Sequence, residues 1–278
     1  MRRASQSDLP AIRAFLGTRV ERAMFPLSNL ARFGLDGDHD YAPSMWIAEK
    51  QGEVTGVLTV GRAGTVMPNL AGIETGVVTD ILRGRAIASL IGPKEEVRPL
   101  LAALGIAGHP TTLDRDEPHF VLKLAELIVP EGEGTLFPLE EADPLQMVRW
   151  RRDYNIEALG MAPETAEAEA RNSYTNYVDA GSHRVLISDD GPLATTGFNA
   201  YLPEIVQIGG VYTPPALRGR GHARRAVALH LAEAQARGIG MATLFSGSDT
   251  ASRAYRSIGF RQIGEWSLVF FDGKPVVP

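Results

Sequence analysis

Ile208-Gly209-Gly210-Val211-Tyr212-Thr213-Pro214-Pro215-Ala216-Leu217-Arg218-Gly219-Arg220-Gly221-His222-Ala223 is the stretch that decides how this chain is read. Residues 205–213 have the pattern of a strand, and Pro214-Pro215 ends it. Residues 221–237, rich in alanine and leucine, have the pattern of a helix closed by Gly238. A strand that feeds a glycine-rich loop at the start of a helix can aim successive backbone N–H groups at an anion. The positive end of the helix dipole then stands behind them. Glycine is needed where a phosphate takes the place of a Cβ, and Arg218 and Arg220 add positive charge at the rim.

Three phosphate-binding patterns compete for this loop. A Walker loop needs Gly-Lys-Ser/Thr, and the sole Gly-Lys, Gly273-Lys274, is followed by Pro275. A dinucleotide fingerprint needs a third glycine at position 224, which is Arg224. What remains is Arg-x-x-Gly-x-Ala, formed by Arg218, Gly221 and Ala223.

Outward from the loop, residues 145–159 have apolar side chains near helical spacing and stop at Gly160. Pro163 and Glu164 open a second helix to about Val178. Residues 184–188 and 194–201 form two strands around a turn at 189–192. After the loop helix come a strand at 241–245, a helix at 250–258 and two short strands. The pattern predicts a mixed α/β or α+β sheet with helices packed on it.

With this context the loop resembles the pyrophosphate loop of the GNAT acetyltransferases, Gln/Arg-x-x-Gly-x-Gly/Ala. Tyr255-Arg256-Ser257-Ile258-Gly259-Phe260 is similar to that family's second signature, Tyr-x-x-x-Gly-Phe. The resemblance covers residues 136–271 and implies an acyltransferase that moves an acetyl group from acetyl-CoA to a primary amine, with no metal. Gly210, Val211, Tyr212 and Thr213 would pair with the pantetheine arm, with a bulge at Gly209-Gly210. The amides of Arg218, Gly219, Arg220, Gly221, His222 and Ala223 would hold the pyrophosphate. Tyr255 would protonate the departing thiolate. Many members carry an asparagine just before the last helix; here Ser248 and Asp249 stand in that region, and either could contact the pantetheine. Glu204 is the first candidate for the base that deprotonates the amine, since several relatives place a glutamate there. Gln207 could orient a water, Asn199 and Tyr201 would face the acceptor, and His222 would face the cofactor. A non-catalytic CoA-binding sensor or interaction module is the alternative.

The chain also repeats itself. Arg83-Gly84-Arg85-Ala86-Ile87 parallels Arg237-Gly238-Ile239-Gly240-Met241 at an offset of 154 (238 − 84), which persists to Gly105 opposite Gly259. The same subtraction places Gly64, Met67, Asn69 and Leu101 where the loop residues and Tyr255 would be, so the first copy lacks the motif. The expected organisation is tandem GNAT-like domains, each a mostly antiparallel sheet with helices on both faces. Residues 1–130 would be a degenerate copy and 131–278 the catalytic domain, divided at the glycine-rich segment 129–134. The first copy would pack on the active domain and shape the acceptor pocket, to which Phe25 and Trp46 could contribute, with core packing the favoured reading of each.

Composition narrows the function classes. Across 278 residues, 44% are hydrophobic, 22% are charged and the formal net charge is −5, which suits a globular core and argues against a nucleic-acid partner. There is no cysteine, hence no disulfide or thiol nucleophile. No HExxH pair occurs, so no zinc site is expected. No apolar run follows Arg2-Arg3 or reaches membrane-spanning length, so a cytoplasmic protein without a membrane partner is expected. The acceptor would be a small-molecule or peptide amine.

Overall fold

The computed structural model describes every residue but Ala71. The chain forms two compact units, residues 1–117 with 264–278, and residues 118–263.

In the first unit, β1 (Arg2–Arg3), β2 (Pro43–Lys50), β3 (Glu53–Gly61), β4 (Thr65–Asn69) and β5 (Ser89–Pro93) lie side by side in chain order. Neighbours are antiparallel except β4 and β5, which are parallel. Helices α1 (Leu9–Gly17) and α2 (Val20–Phe33) precede β2, α3 (Thr75–Leu82) joins β4 to β5, and α4 (Lys94–Ala103) follows β5. The core gathers Leu58, Leu90, Leu100 and Leu104, and Trp46 is buried within it.

The second unit runs through the same programme. Its own strands are β7 (Thr135–Pro138), β8 (His183–Ser188), β9 (Gly191–Tyr201), β10 (Ile205–Tyr212) and β11 (Met241–Phe245). They are adjacent in that order, and again only the last pair is parallel. Helices α5 (Pro144–Leu159) and α6 (Pro163–Asp179) precede β8, α7 (His222–Ala236) joins β10 to β11, and α8 (Asp249–Arg256) follows β11. The offset of 154 carries β5 and α4 onto β11 and α8 to within two residues at each end, and Gly105 and Gly259 are both left-handed, at φ 69° and 106°.

Each sheet is completed by a strand distant in sequence. β6 (Thr111–Lys123) pairs antiparallel with β11, from Lys123 opposite Met241 to His119 opposite Phe245. β12 (Arg261–Phe271) pairs with β5, from Trp266 opposite Pro93 to Phe270 opposite Ser89. The compact units therefore divide within these strands rather than at 129–134, the boundary drawn from sequence. Glycine and proline mark a loop there, but ladder partners decide where a strand belongs. One further expectation is corrected: the two short C-terminal strands are the single strand β12.

Helices cover both faces of the second sheet. Val227, Leu231 and Ala234 of α7 cluster with Phe120, Val206, Ile208, Leu244 and Tyr255, whereas Trp150 and Met147 of α5 cluster with Val185 and Tyr212. Leu231 has no exposed surface, a burial that contributes about 1.5–3 kcal/mol. The small residues Ala226, Ala228 and Ala234 on the buried side of α7 let the helix sit close to the strands.

Candidate functional site

β10 pairs with β11 only at its beginning, with Ile205 opposite Met241, Val206 opposite Ala242 and Gln207 opposite Thr243. From Ile208 onward it keeps its antiparallel partner β9, and among the described residues no register with β11 continues. The side of β10 that faced β11 therefore has no ladder partner beyond Gln207 among the described residues, and a bound extended chain can add to it as a strand.

The β9–β10 ladder has two irregularities. Between Gln207 and Ile208 the partner steps from Ala200 to Phe198, which leaves Asn199 as the extra residue. Between Gly209 and Tyr212 the partner steps only from Gly197 to Thr195, so the extra residue lies at Gly210 or Val211. Gly210 has φ 63°, a conformation that suits glycine in such a bulge. This second bulge reverses the alternation. Val211 joins Val206 and Ile208 on the α7 side, while Tyr212 turns toward Trp150 of α5. Asn199 is exposed and lies across Gly209, where a Cβ would collide with its amide.

Beyond the strand, one 3-10 turn (Pro215–Leu217) leads into the loop. Gly219 and Gly221 are left-handed, at φ 79° and 86°, and a Cβ on Gly219 would meet nothing within 4 Å. Gly221 is the N-cap of α7, and no side chain caps its first amides. The N-terminus of this 15-residue helix thus keeps its N–H groups free at the positive end of the dipole. A pocket of about 240 Å³ opens there between Arg220, Gly221, His222 and Arg224 on one side and Glu131 and Glu133 on the other. Open space at Gly219, the uncapped amides of α7 and the side chains of Arg220 and Arg224 fit a pyrophosphate.

Two arginines are not free cations at the rim. Arg218 turns back, with Nη2 2.7 Å from Glu157 Oε2 and Nε donating to the Thr213 carbonyl at 2.9 Å. Glu157 holds its guanidinium pKa above the usual arginine value. Arg225 donates to the carbonyls of Pro130 at 2.6 Å, Glu133 at 3.0 Å and Gly134 at 3.2 Å, fastening the 130–134 segment to α7. The sequence marks that segment only as a domain boundary, and no motif announces this latch. His222 is buried, its Nε2 3.6 Å from Glu133 Oε1.

The remaining candidates are spread around the opening. Tyr255 is buried in α8, its ring edge-on to Phe260 at 6.0 Å. Ser248 is the N-cap of α8, its Oγ accepting from the Ala251 amide at 3.2 Å, and Asp249 is exposed in the first turn. Glu204 is exposed just before β10, and its carbonyl accepts from Gly240 and Met241. Three residues on, Gln207 is buried, its Nε2 donating to the Ile208 carbonyl at 2.6 Å and its Oε1 without a partner. Tyr201 is exposed.

The family model described as "Acetyltransferase (GNAT) family" matches residues 145–260. No protein of curated function matches the sequence. Among solved structures, the chain is similar to a GCN5-related N-acetyltransferase from Sphaerobacter thermophilus at 19% identity and TM-score 0.59, covering 99% of this chain and 96% of that one. One from Kribbella flavida has 17% identity and TM-score 0.57, covering 92% and 95%. A tandem GNAT protein from the clavulanic acid biosynthesis pathway has 13% identity and TM-score 0.53, covering 96% of each chain. No helix among the described residues is long and apolar enough to cross a membrane.

Proposed function

We propose that this chain, whose residues 145–260 match the model of the GNAT acetyltransferase family, acetylates a primary amine with acetyl-CoA at the opening between β10 and β11. The observation that carries the reading is the parting of β10 from β11 after Gln207, which leads through the left-handed glycines to the uncapped start of α7.

When bound, acetyl-CoA supplies a thioester whose C–S bond breaks as the amine nitrogen forms the new C–N bond. The chain's own groups do the rest. Backbone groups of Val211, Tyr212 and Thr213 hold the pantetheine arm in extended form, near Ser248 and Asp249. The amides of Arg218, Gly219, Arg220, Gly221, His222 and Ala223 hold the pyrophosphate. Tyr255 donates its phenolic proton to the leaving sulfur, since a thiol of pKa ~8.5 departs more readily protonated at neutral pH. Glu204 takes the proton that the amine sheds. Its place before β10, about 10 Å of strand from Gln207 at ~3.3 Å per residue, means that water relays this transfer. The proton gained by sulfur and the proton lost by nitrogen balance.

The first unit repeats the element order without this equipment. Its connection from β4 to α3 spans only residues 70–74, with Gly72 as its one glycine. We read it as a degenerate copy that keeps the fold and not the cofactor chemistry. The test is an acetyl-CoA consumption screen against pooled amines, with Glu204→Gln as companion. Turnover that needs an amine supports the proposal; CoA binding without turnover on any amine points to a sensor.

A further inference from the structure

Beneath α5 and α6, against β8–β10, lies a cavity of about 20 Å³. A void of that size accommodates one water or one small terminal group. Its wall includes Arg151, Tyr177, His183, Gly210 and Tyr212. No aspartate or glutamate lines it.

The room is made by two glycines. A Cβ at Gly197 would collide with the His183 ring, and one at Gly210 would stand 2.8 Å from its Nε2. The ring is 3% exposed, stacked on Tyr177 at 3.5 Å between centroids and 13° between planes. Nδ1 meets Ser182 Oγ at 2.9 Å, while Nε2 is buried without a partner. When Ser182 donates to Nδ1, the ring proton sits on Nε2 and is offered into the cavity.

Arg151 supplies the second donor. Its guanidinium lies over the rings of Tyr154 and Tyr177, at 4.8 and 5.2 Å, and reaches within 3.7 Å of the place a Gly210 Cβ would take. Its Nε is buried and unpartnered, and among the described residues it makes no ion pair. A positive charge met only by the faces of two tyrosine rings and an oriented N–H converge on a cavity that no carboxylate lines, which is the complement of a planar anion and the reverse of a cation site. The same Gly210 and Tyr212 belong to the stretch of β10 that has parted from β11.

We propose that this cavity receives the carboxylate of the acceptor, held by Arg151 and the Nε2–H of His183, so that the preferred substrates are amines that carry a carboxylate. The proposal rests on the acyltransferase reading and narrows its substrate class. The cavity takes the carboxylate alone, and the amine of the same molecule is left beside the open edge of β10.

The experiment titrates ¹⁵N-labelled protein with a set of α-amino acids and, separately, their α-carboxamides, following the histidine ring nitrogens; His183→Gln assigns the signal. The expected result is a saturable change at His183 Nε2 with free acids, at least about tenfold tighter than with the isosteric amides, and loss of that difference in Arg151→Gln. No response at His183 to any acid, a water-filled cavity only, or equal response to amides would overturn it. Acetyl-CoA consumption on the same pairs is read separately. Acids that bind at His183 but are never acetylated leave the carboxylate site standing and sink the acyltransferase reading. Turnover with equal kcat/KM for acids and amides does the opposite.

Discussion

The guanidinium of Arg218 lies 2.7 Å from the carboxylate of Glu157, tying the loop after β10 to the last turn of α5. Both side chains are about half exposed, so the pair adds little stability, typically ~0–1 kcal/mol. Its effect is on the loop, where left-handed glycines provide little restraint of their own. Glu157→Gln is expected to leave the melting temperature nearly unchanged and to raise KM for acetyl-CoA about two- to fivefold at constant kcat, the signature of lost ground-state binding. An unchanged KM would mean the loop holds its shape without this pair.

Gly219 and Gly221 can be tested against a third glycine with the same backbone demand. Gly238, just after α7, has φ 91°, and like Gly219 it has open space where a Cβ would go. Alanine at Gly219 or Gly238 is expected to cost about 1–2 kcal/mol from left-handed strain. Only Gly219→Ala should also weaken CoA binding, because only there does the added methyl enter the proposed phosphate site. Isothermal titration with CoA and thermal unfolding separate the two effects. Equal affinity loss in both variants would remove the loop from the binding site.

How much of this was legible beforehand depends on the range of the interaction. The helix closed by Gly160 and the order of elements from 145 to 258 are written in local patterns, and their bounds are found within three residues. The parting of β10 from β11 is not local, because nothing near Gln207 says that its neighbour 36 positions away is its last partner. The exchanged strands β6 and β12 are invisible for the same reason. Arg218 and Arg225 read in sequence only as cations in and just after a glycine-rich loop, yet Arg225 latches residues 130–134 and Arg218 folds onto Glu157. Side-chain direction after a bulge is likewise unreadable, since one extra residue at Gly210 or Val211 reverses which face Tyr212 presents.

Tyr255→Phe keeps the ring that packs beside Phe260 and removes only the hydroxyl. Folding and CoA affinity should therefore be near those of the unchanged protein. The turnover number is expected to fall by about 10²-fold or more if the hydroxyl is the proton donor to sulfur. The loss should shrink with an acyl donor whose leaving thiol has a lower pKa, since such a thiolate needs less help. A uniform loss across leaving groups would assign Tyr255 to packing.

His183 makes the second unit acid-sensitive in a definite direction. Burial first, then the charges of Arg151 and Arg184, depress its pKa from 6.5 to about 3, and the neighbouring buried His230 is lowered as well. Unfolded, the ring takes up a proton below pH ~6.5; folded, it refuses one until about pH 3. The stability this represents is complete above pH ~6.5 and drains away as pH falls toward 3, by up to about 5 kcal/mol in total. Arg151→Gln removes one of the depressing charges, raises the folded pKa and should flatten the fall in unfolding free energy between pH 6.5 and 4. His183→Gln should flatten it further, leaving the share due to His230. Urea unfolding at half-unit pH steps reads these slopes directly, whatever each variant's stability at neutral pH. Parallel slopes in all three proteins would show that His183 is protonated in the folded state well above pH 3.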